Sequence, residues 1–361
     1  MIGSGSLLVR GARLLDPSSG MDREGDLLVM DGRIQKVGPA VRDGDVPHDC
    51  QIISGAGLVA CPGFIDLHAH LREPGYEDRE TIATGVQAAA RGGFTTVCCM
   101  PNTNPAMDNA SVVEYVLRKA REANMVRVLP IGCVTKGRAG AELADLWELA
   151  QAGAVGYSDD GNPVADSYLM RQALTYTRGL GLPVIDHCED PRLTHGASVN
   201  EGWVSNRLGL RGWPAAAEET MVARDIALAE LTGGRLHLAH LTTSGSVELV
   251  RQAKSRGLSL SAEVTPHHLT LDESWALGHD GAGPLPWPAM PVAYDTATKV
   301  NPPLRSRRDV EALIAGIRDG TIDAVATDHA PQAVTDKLVT YDDATFGISG
   351  LETAVGALLT L

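Results

Sequence analysis

The sequence lacks the features of a secreted or membrane-spanning protein. Its six cysteines form no C-x-x-C pair, and Cys98 and Cys99 are adjacent in an apolar run, so reduced thiols are expected. The N-terminal residues contain no continuous apolar stretch followed by a small-residue cleavage site, and a signal peptide is not expected. No stretch approaches the roughly 20 apolar residues that a transmembrane helix needs. We therefore predict a cytoplasmic protein.

The chain also lacks an excess of positive charge. Its formal net charge is −14 over 361 residues, and an acidic surface repels nucleic acids and anionic membranes. Neither is expected as a partner. A small anionic substrate is still compatible with this charge, because a local cluster of arginine, metal ions and backbone N–H groups can override the field of the whole protein.

A change of pattern predicts two domains, residues 1–57 and 58–361. The first carries short β-type runs between Gly, Asp and Pro turns, without a helical period, and is predicted to be a small antiparallel β unit. The second repeats an apolar strand, a polar loop and an amphipathic helix. Its eight predicted strands are Leu58–Leu67, Thr95–Met100, Arg127–Val134, Ala154–Ser158, Pro183–His187, Arg235–Leu241, Leu258–Val264 and Asp323–Thr327.

Predicted helices separate these strands. They are Glu80–Arg91, Ser111–Ala123, Ala141–Ala152, Ser167–Leu180, Ala215–Leu231, Ser246–Arg256 and Arg307–Arg318. Eight parallel βα units predict an α/β protein of the (β/α)8 TIM-barrel type. An open doubly wound sheet is the alternative, but the Gly-rich phosphate loop that it needs after its first strand is missing.

Histidine and aspartate residues lie at the ends of five predicted strands, where a (β/α)8 barrel gathers side chains into one cavity. They are His68, His70, the pair Asp159-Asp160, His187, His240 and Asp328. His68 and His70 are alternate residues of one strand and point the same way. Each histidine alone is most simply explained as a packed core residue. Their recurrence at the correct strand ends instead predicts a metal site, whose nitrogen and oxygen donors suit Zn²⁺, with Mn²⁺, Co²⁺ or Fe²⁺ as substitutes.

These residue types predict hydrolytic chemistry. Two divalent ions that share a carboxylate and a water lower the pKa of that water from about 15.7 towards about 7, and they polarise a carbonyl group. An aspartate on the last strand, beside the nucleophile, is placed to take its proton and return it to a leaving nitrogen. Such a site hydrolyses amides, imides or phosphoesters.

Ordered motifs along nearly the whole chain resemble those of bacterial dihydroorotases, a family of the amidohydrolase superfamily. They are PGFIDLHAHLREPGYEDRETIATG, GGFTTVCCMPNTNP, YSDDG, DHCED, HLAHLTTSGS, EVTPHHL, KVNPPLR, ATDHAP and FGISGLET. The resemblance covers residues from about 5 to 361. It implies the reversible cyclisation of N-carbamoyl-L-aspartate to L-dihydroorotate in pyrimidine biosynthesis. It also implies that the first domain is part of a composite β-sandwich.

The resemblance implies two zinc ions per subunit. His68, His70 and Asp328 would bind one ion, His187 and His240 the other, and Asp160 would bridge them, with Asp159 as the alternative bridge. Asp328 would also act as the general acid and base. The substrate would be contacted by His70, Arg72, Asn102, Asn301, Gln332, Phe346 and Gly347. From the residues alone, a surface salt bridge is equally open for Arg72, and a turn cap is favoured for Asn102.

Two other functions are weighed against this one. Hydantoinases, allantoinases and dihydropyrimidinases resemble the sequence but bridge their metals with a carboxylated lysine. Here the matching strand end carries Ser158-Asp159-Asp160, and Lys136 lies one βα unit too early. Arg72 also argues against an uncharged ring. The other alternative is a non-catalytic scaffold that binds aspartate transcarbamoylase as its partner, but such scaffolds lose metal ligands. A homo-oligomer is expected.

Two features depart from the family pattern. The family's DHAPH reads DHAPQ here, so Gln332 stands where a histidine would touch the substrate carboxylate. We hypothesise weaker substrate binding than in a Gln332→His variant. The chain also stops at Leu361, inside a helix predicted to begin near Leu351, whereas the family continues through the last barrel helix and a further β segment. A sequence truncated at its C-terminus is therefore expected.

Overall fold

A computed structural model gives the fold and describes residues 5–278 and 293–361. The chain divides into two units, Met1–Phe64 and Ile65–Leu361, whereas the sequence analysis placed the boundary after residue 57. Within the described ranges, no helix combines the length and the apolar character needed to cross a bilayer.

The first unit contains one five-stranded sheet. Its strands are β1 (Leu7–Asp16), β2 (Met21–Met30), β3 (Arg33–Gly38), β4 (Gln51–Ser54) and β5 (Val59–Ala60). β1, β2 and β3 are antiparallel, as predicted, but β4 and β5 both pair with β1 in parallel. The expectation of a purely antiparallel unit was therefore wrong, because the chain after β3 crosses back and re-enters beside β1 in the same direction.

The second unit contains a closed ring of parallel strands. They are β6 (Phe64–Ala69), β7 (Phe94–Cys99), β8 (Arg127–Pro130), β9 (Val184–Asp186), β12 (Leu236–Leu238), β13 (Leu260–Val264) and β14 (Ala324–Val325), with a short outer pair, β10 (Val199–Asn200) and β11 (Gly212–Trp213). The ring runs β6-β7-β8 and β9-β12-β13-β14. A parallel bridge between Ala69 and His329 closes it. The predicted (β/α)8 barrel is confirmed.

The fourth position of the ring is the least regular. The predicted strand Ala154–Ser158 is wrong as a regular strand, because only Tyr157 forms ladder bridges, with Gly132 on one side and Val184 on the other. The Tyr157 N–H donates to the Pro183 carbonyl over 3.0 Å, and the Tyr157 carbonyl accepts from the Ile185 N–H over 2.8 Å. The segment therefore still fills the gap between β8 and β9.

Helices cover the outside of the ring. They are α1 (Ile82–Arg91), α2 (Ala110–Ala123), α3 (Leu146–Ala152), α4 (Ser167–Leu180), α5 (Trp203–Leu208), α6 (Ala216–Thr232), α7 (Ser244–Ser255), α8 (Pro266–Thr270), α9 (Arg307–Arg318), α10 (Val334–Lys337) and α11 (Ala354–Leu358). Side-chain caps at Thr81, Asp166 and Ser306 start α1, α4 and α9, since each satisfies an N–H that the helix leaves unpaired. The prediction began α3 too early, because the Ala144 N–H bonds the Val134 carbonyl instead.

The barrel core consists of branched aliphatic residues that alternate along each strand. Val184, Leu238 and Val264 are fully buried and pack with the inner faces of the helices. Cys98, Ile131 and Ile185 belong to a second apolar cluster and line a cavity that residues of the strand bodies surround. Packing therefore occupies the bodies of the strands, and the polar residues follow at their carboxyl ends.

Candidate metal centre and substrate cavity

Six predicted ligands lie together at the carboxyl ends of the barrel strands. His68 lies in β6 and His70 directly after it, His187 follows β9, and Asp328 follows β14. All six, which also include Asp160 and His240, are buried. Parallel strands in a barrel end on the same rim, which explains how residues 260 positions apart in the chain meet.

The Asp160 carboxylate lies between four imidazoles. Its Oδ1 is 3.4 Å from His68 Nε2, 3.5 Å from His187 Nδ1 and 3.3 Å from His240 Nε2, and its Oδ2 is 3.4 Å from His70 Nε2. Asp160 thus occupies the position that a carboxylate bridging two ions would need.

The neighbouring Asp159 is oriented away from this cluster. Its Oδ1 accepts the Val134 N–H over 2.9 Å and the Thr135 N–H over 3.0 Å, and its Oδ2 accepts the Thr135 hydroxyl. These bonds anchor the loop after β8. Of the two aspartates that the sequence offered as a bridge, only Asp160 therefore faces the imidazoles.

Asp328 approaches the cluster beside His68 and His70. Its Oδ1 is 3.0 Å from His70 Nε2 and 3.5 Å from His68 Nε2. Asp328 and His240 have positive φ angles of 45° and 31°. Non-glycine residues with positive φ carry backbone strain and concentrate at functional sites. The rim is therefore held in a conformation that the local sequence does not favour.

Three of the imidazoles are fixed from behind by an oxygen acceptor. The pairs are His68 Nδ1 with Glu263 Oε1 at 2.8 Å, His70 Nδ1 with Asn102 Oδ1 at 2.8 Å, and His187 Nε2 with Glu189 Oε2 at 2.9 Å. An acceptor on one ring nitrogen keeps the proton there, which leaves the other nitrogen free as a donor to a metal ion. In each case the free nitrogen faces the cluster.

The donor set fits divalent metal ions. One ligand atom from each of His68, Asp160 and His240 lies within 4.8 Å of the others, and so does one from each of His68, His70 and Asp328. His68 Nε2 is buried without a hydrogen bond. An orphaned buried nitrogen is costly, and coordination would satisfy it. Imidazole nitrogens and carboxylate oxygens are donors that zinc and related ions accept.

The electrostatics of the cluster also favour cations. Burial alone would raise the pKa of Asp160, but the charge of His68 and the hydrogen bonds of His187 and His240 hold this pKa well below its usual value. Burial would lower the pKa of His187, but hydrogen bonds to Asp160 and Glu189 raise it to about 10. Without a metal, the Asp160 carboxylate therefore takes part of its counter-charge from a proton on His187.

A third group of donors, Asp186, Cys188 and Asp225, lies outside this cluster. The Arg224 guanidinium is 2.6 Å from Asp225 Oδ1 and 3.5 Å from Asp186 Oδ2, and the Val164 N–H also bonds Asp186. These carboxylates thus have a counter-charge already, and the group is part of the packing behind the rim.

A cavity of ≈ 200 Å³ opens beside the cluster. It brings together every residue that the sequence analysis proposed for substrate contact: His70, Arg72, Asn102, Asn301, Gln332, Phe346 and Gly347. Asp160, His187 and Asp328 line the same cavity. Proposed substrate contacts and proposed metal ligands therefore share one space.

Arg72 provides the positive charge of this cavity. It is buried, has a positive φ of 60°, and donates from Nε to the Pro331 carbonyl over 3.1 Å. Burial lowers its pKa to about 10, so the guanidinium stays charged at neutral pH. Its guanidinium forms no hydrogen bond with a carboxylate of the described residues, and a buried, charged guanidinium in this state suits an anionic group of a ligand.

Gln332 and the Phe346-Gly347 segment also line this cavity. Gln332 Nε2 donates to the Phe346 carbonyl over 2.6 Å, and Gln332 Oε1 is buried without a hydrogen bond. Gly347 has a φ of 129°, and a Cβ there would lie 2.4 Å from the Ala330 carbonyl oxygen, so only glycine lets the backbone approach this closely.

Sequence reasoning missed the acceptors behind the imidazoles. Glu263 and Glu189 were not singled out, although both are acids in or directly beside apolar strands, which is an uncommon place for an unpaired charge. His237, three residues before His240, lies 3.1 Å from Glu263 Oε2. Its ring contacts the far side of this carboxylate and not the cluster.

Comparisons with known proteins agree with this geometry. The family model described as dihydro-orotase-like matches residues 57–246. Dihydroorotase from Pelotomaculum thermopropionicum is 50% identical over 354 residues, which cover 98% of this chain and 78% of the relative. Dihydroorotase from Syntrophus aciditrophicus is 47% identical over 355 residues, which cover 98% of this chain and 79% of the relative.

Solved structures show the same fold at lower identity. L-hydantoinase from Arthrobacter aurescens superposes with a TM-score of 0.80 at 22% identity, covering 98% of this chain and 76% of that structure. D-hydantoinase from a Thermus species gives a TM-score of 0.75 at 24% identity, with the same coverage. At such identities, the likeness shows the architecture alone.

Proposed function

The chain belongs to the dihydroorotase family, whose members hydrolyse a cyclic amide, and we propose that its rim cavity performs this reaction with the residue roles given below. The reaction is the reversible interconversion of L-dihydroorotate and N-carbamoyl-L-aspartate in pyrimidine biosynthesis. The observation that carries the assignment of the site is a cluster of four imidazoles and two carboxylates beside a cavity that two of these imidazoles, both carboxylates and Arg72 line.

Two divalent cations fit the cluster. His68, His70 and Asp328 would hold one, His187 and His240 the other, with Asp160 between them. When bound, such a pair lowers the pKa of a water and polarises the carbonyl that is attacked. Glu263, Asn102 and Glu189 keep the imidazoles turned towards the cluster.

Asp328 is proposed as the group that moves the proton. Its Oδ1 lies at the cluster, 3.0 Å from His70 Nε2, and the residue lines the cavity. In the hydrolytic direction, water adds its hydroxyl to the ring carbonyl carbon while the C–N bond breaks. Asp328 takes the remaining proton of the water and returns it to the departing nitrogen, as a general base and then a general acid.

Arg72 and Asn102 are proposed to hold the carboxylate of the substrate. A planar guanidinium binds a carboxylate through two parallel hydrogen bonds. Asn102 already uses its Oδ1 at His70, so its amide N–H groups are the part that can donate to an anion. Asn301 and the backbone of Phe346-Gly347, which line the same cavity, are proposed to contact the ring.

An uncharged ring fits this cavity less well than dihydroorotate. Burying Arg72 is costly unless an anion compensates its charge, and hydantoin or allantoin carries no carboxylate. The described residues that line the cavity include no lysine to carry a carboxylated bridge. Since the hydantoinase structures share only the fold, no observation favours a hydantoinase-type substrate.

Metal identity, assembly and compartment belong to the proposal as well. We propose two Zn²⁺ ions per chain, because zinc binds the imidazole nitrogens and carboxylate oxygens that this cluster offers. Mn²⁺, Co²⁺ or Fe²⁺ are the substitutes. A cytoplasmic homo-oligomer is proposed, and its six free cysteines support a reducing compartment. Aspartate transcarbamoylase is the macromolecular partner to test by co-purification.

The decisive experiment measures ring opening of L-dihydroorotate by the metal-loaded protein. We expect turnover that a chelator abolishes and added Zn²⁺ restores, with little turnover of hydantoin, allantoin or dihydrouracil under the same conditions. Absence of metal-dependent turnover of dihydroorotate, in a protein shown to be folded, would overturn the proposed function. Faster turnover of an uncharged ring would overturn the proposed role of Arg72.

A further inference from the structure

A series of hydrogen bonds runs through the barrel to His68, on the side of its ring that faces away from the cluster of proposed metal ligands. Ser261 Oγ lies 2.8 Å from His237 Nδ1, His237 Nε2 lies 3.1 Å from Glu263 Oε2, and Glu263 Oε1 lies 2.8 Å from His68 Nδ1. The four side chains therefore form an unbroken series that ends at a proposed metal ligand.

The burial of the Glu263 carboxylate, in the middle of this series, is not explained by apolar packing. Glu263 is 1% exposed and lies in β13 beside the fully buried Ala262 and Val264. Its hydrogen bonds are made with two imidazoles, those of His68 and His237. A buried carboxylate is far costlier than an apolar side chain at such a position, so its role lies in its effect on these two imidazoles.

The series also lies apart from the substrate cavity. His237 and Ser261 line a different cavity, of ≈ 370 Å³, whose other walls include Leu67, Cys98 and Ile131. Glu263, His237 and Ser261 do not line the space that holds Arg72 and Gln332. The side-chain hydrogen bond that joins the series to the rim cluster is the one between Glu263 and His68.

We propose that Glu263 and His237 are positioning residues that fix the tautomer of His68, so that His68 Nε2 is held as a metal donor. An ionised Glu263 accepts a proton-bearing nitrogen from each imidazole. His68 then carries its proton on Nδ1, which leaves Nε2 unprotonated and facing Asp160 and Asp328. His237 carries its proton on Nε2, and its Nδ1 accepts the Ser261 hydroxyl. The inference rests on the proposed metal ligands; it gives Glu263 a specific role at His68 and adds His237, which has no other assigned role.

The test compares metal retention along the series. In the proposed series, one N–H group of each imidazole donates to Glu263. In Glu263→Gln, one of these N–H groups would meet an amide N–H and not an acceptor oxygen, so one hydrogen bond of the series is lost. His237→Leu removes the second partner, while His237→Gln keeps an N–H near the position of Nε2. Ser259→Ala is the control, because Ser259 lines the same cavity but is not part of the series.

Metal release to a chelator is measured for each metal-loaded variant, together with metal content, unfolding temperature, and kcat and KM for dihydroorotate. Loss of an acceptor behind a ligand typically weakens metal binding by about 10- to 100-fold. We expect that range for Glu263→Gln, a smaller loss for His237→Leu, recovery in His237→Gln and wild-type behaviour in Ser259→Ala. KM should stay unchanged in all of them, because the cavity that holds the substrate is untouched.

Three outcomes would overturn the proposal. Wild-type release rates in both Glu263→Gln and His237→Leu would show that the series does not act on His68. A KM that rises with the release rate would point to a general distortion of the rim. A third metal equivalent in the wild type, missing in Glu263→Gln, would make Glu263 a ligand. If the wild type fails to open dihydroorotate but the graded release holds, the substrate assignment fails and the positioning role stands.

Discussion

Acidic side chains at the two ends of the barrel strands have different surroundings, exposed at one end and buried at the other. β14 shows the difference within six residues. Asp323, before the strand, is 40% exposed at its side chain and pairs with Lys254 Nζ at 2.7 Å. Asp328, after the strand, is buried among imidazoles. The same residue type stabilises a loop at one end and provides chemistry at the other. The position along the strand, and not the residue type, therefore indicates the role.

Exchanging the carboxylate at each end of β14 for an amide is the strongest test of this comparison. For Asp328→Asn we expect kcat for dihydroorotate to fall by about 10²- to 10⁴-fold, the usual contribution of a general acid and base, with further loss if the metal is released. For Asp323→Asn we expect kcat close to wild type and at most about 1 kcal/mol of lost stability, as for other exposed ion pairs. Steady-state kinetics and urea unfolding measure both. Equal losses of activity would contradict the comparison.

The strand bodies should behave in the reverse way. Leu238, in β12, is fully buried in the core, two residues before His240. For Leu238→Ala we expect about 2–5 kcal/mol less free energy of unfolding, because the truncation removes buried surface and leaves a cavity. Below the unfolding transition, kcat per folded molecule should remain within about threefold of the wild type if packing is the main role of the strand bodies. Chemical denaturation and titration of active sites would check this.

A loss of activity in Leu238→Ala without a loss of stability would contradict the division between strand body and rim. The exposed Leu231, at the end of α6, supplies the matched control. Because Leu231 has little surface to lose from the core, Leu231→Ala should change the unfolding free energy by roughly 0.5 kcal/mol or less.

The rim residues could be predicted because their signal is local. His68 and His70 are alternate residues of one strand, and His187, His240 and Asp328 each follow an apolar run of the right length. Both the two-residue spacing of the first pair and the position of the other ligands after apolar runs can be read from the sequence. The barrel itself could be predicted for the same reason, since eight apolar runs alternate with amphipathic helices.

The residues that support the rim could not be predicted from spacing. Glu263 acts on His68 across 195 residues of sequence, and nothing near either residue specifies the pairing. Parallel pairing of β4 with β1 is likewise a long-range choice that a turn pattern does not encode. The irregular segment at Tyr157 was assigned to a regular strand because apolar composition, unlike hydrogen bonding, is all that the sequence displays.

Substituting Arg72 tests whether the cavity recognises the carboxylate of the substrate independently of its ring. For Arg72→Lys we expect KM for dihydroorotate to rise by about 10- to 100-fold, because an ammonium group cannot reproduce two parallel hydrogen bonds to a carboxylate. Turnover of dihydrouracil, which lacks the carboxylate, should stay at the wild-type level. Kinetics on the two substrates measure the ratio directly, and parallel losses on both would mean that Arg72 shapes the cavity and does not bind the carboxylate.

The smallest expected effect concerns Gln332, which lines the same cavity as Arg72. Its Nε2 donates one of its two N–H groups to the Phe346 carbonyl, so one neutral N–H is left for a substrate carboxylate. An imidazole at this position can donate and can carry a positive charge, and one added charge-assisted hydrogen bond is worth about 1.5 kcal/mol, or roughly tenfold in affinity. We therefore expect KM for dihydroorotate to fall by up to about tenfold in Gln332→His. In Gln332→Met, which can neither donate nor accept at the amide position, it should not fall. If KM is the same in all three proteins, residue 332 makes no contact with the substrate, and Arg72 and Asn102 alone bind the carboxylate.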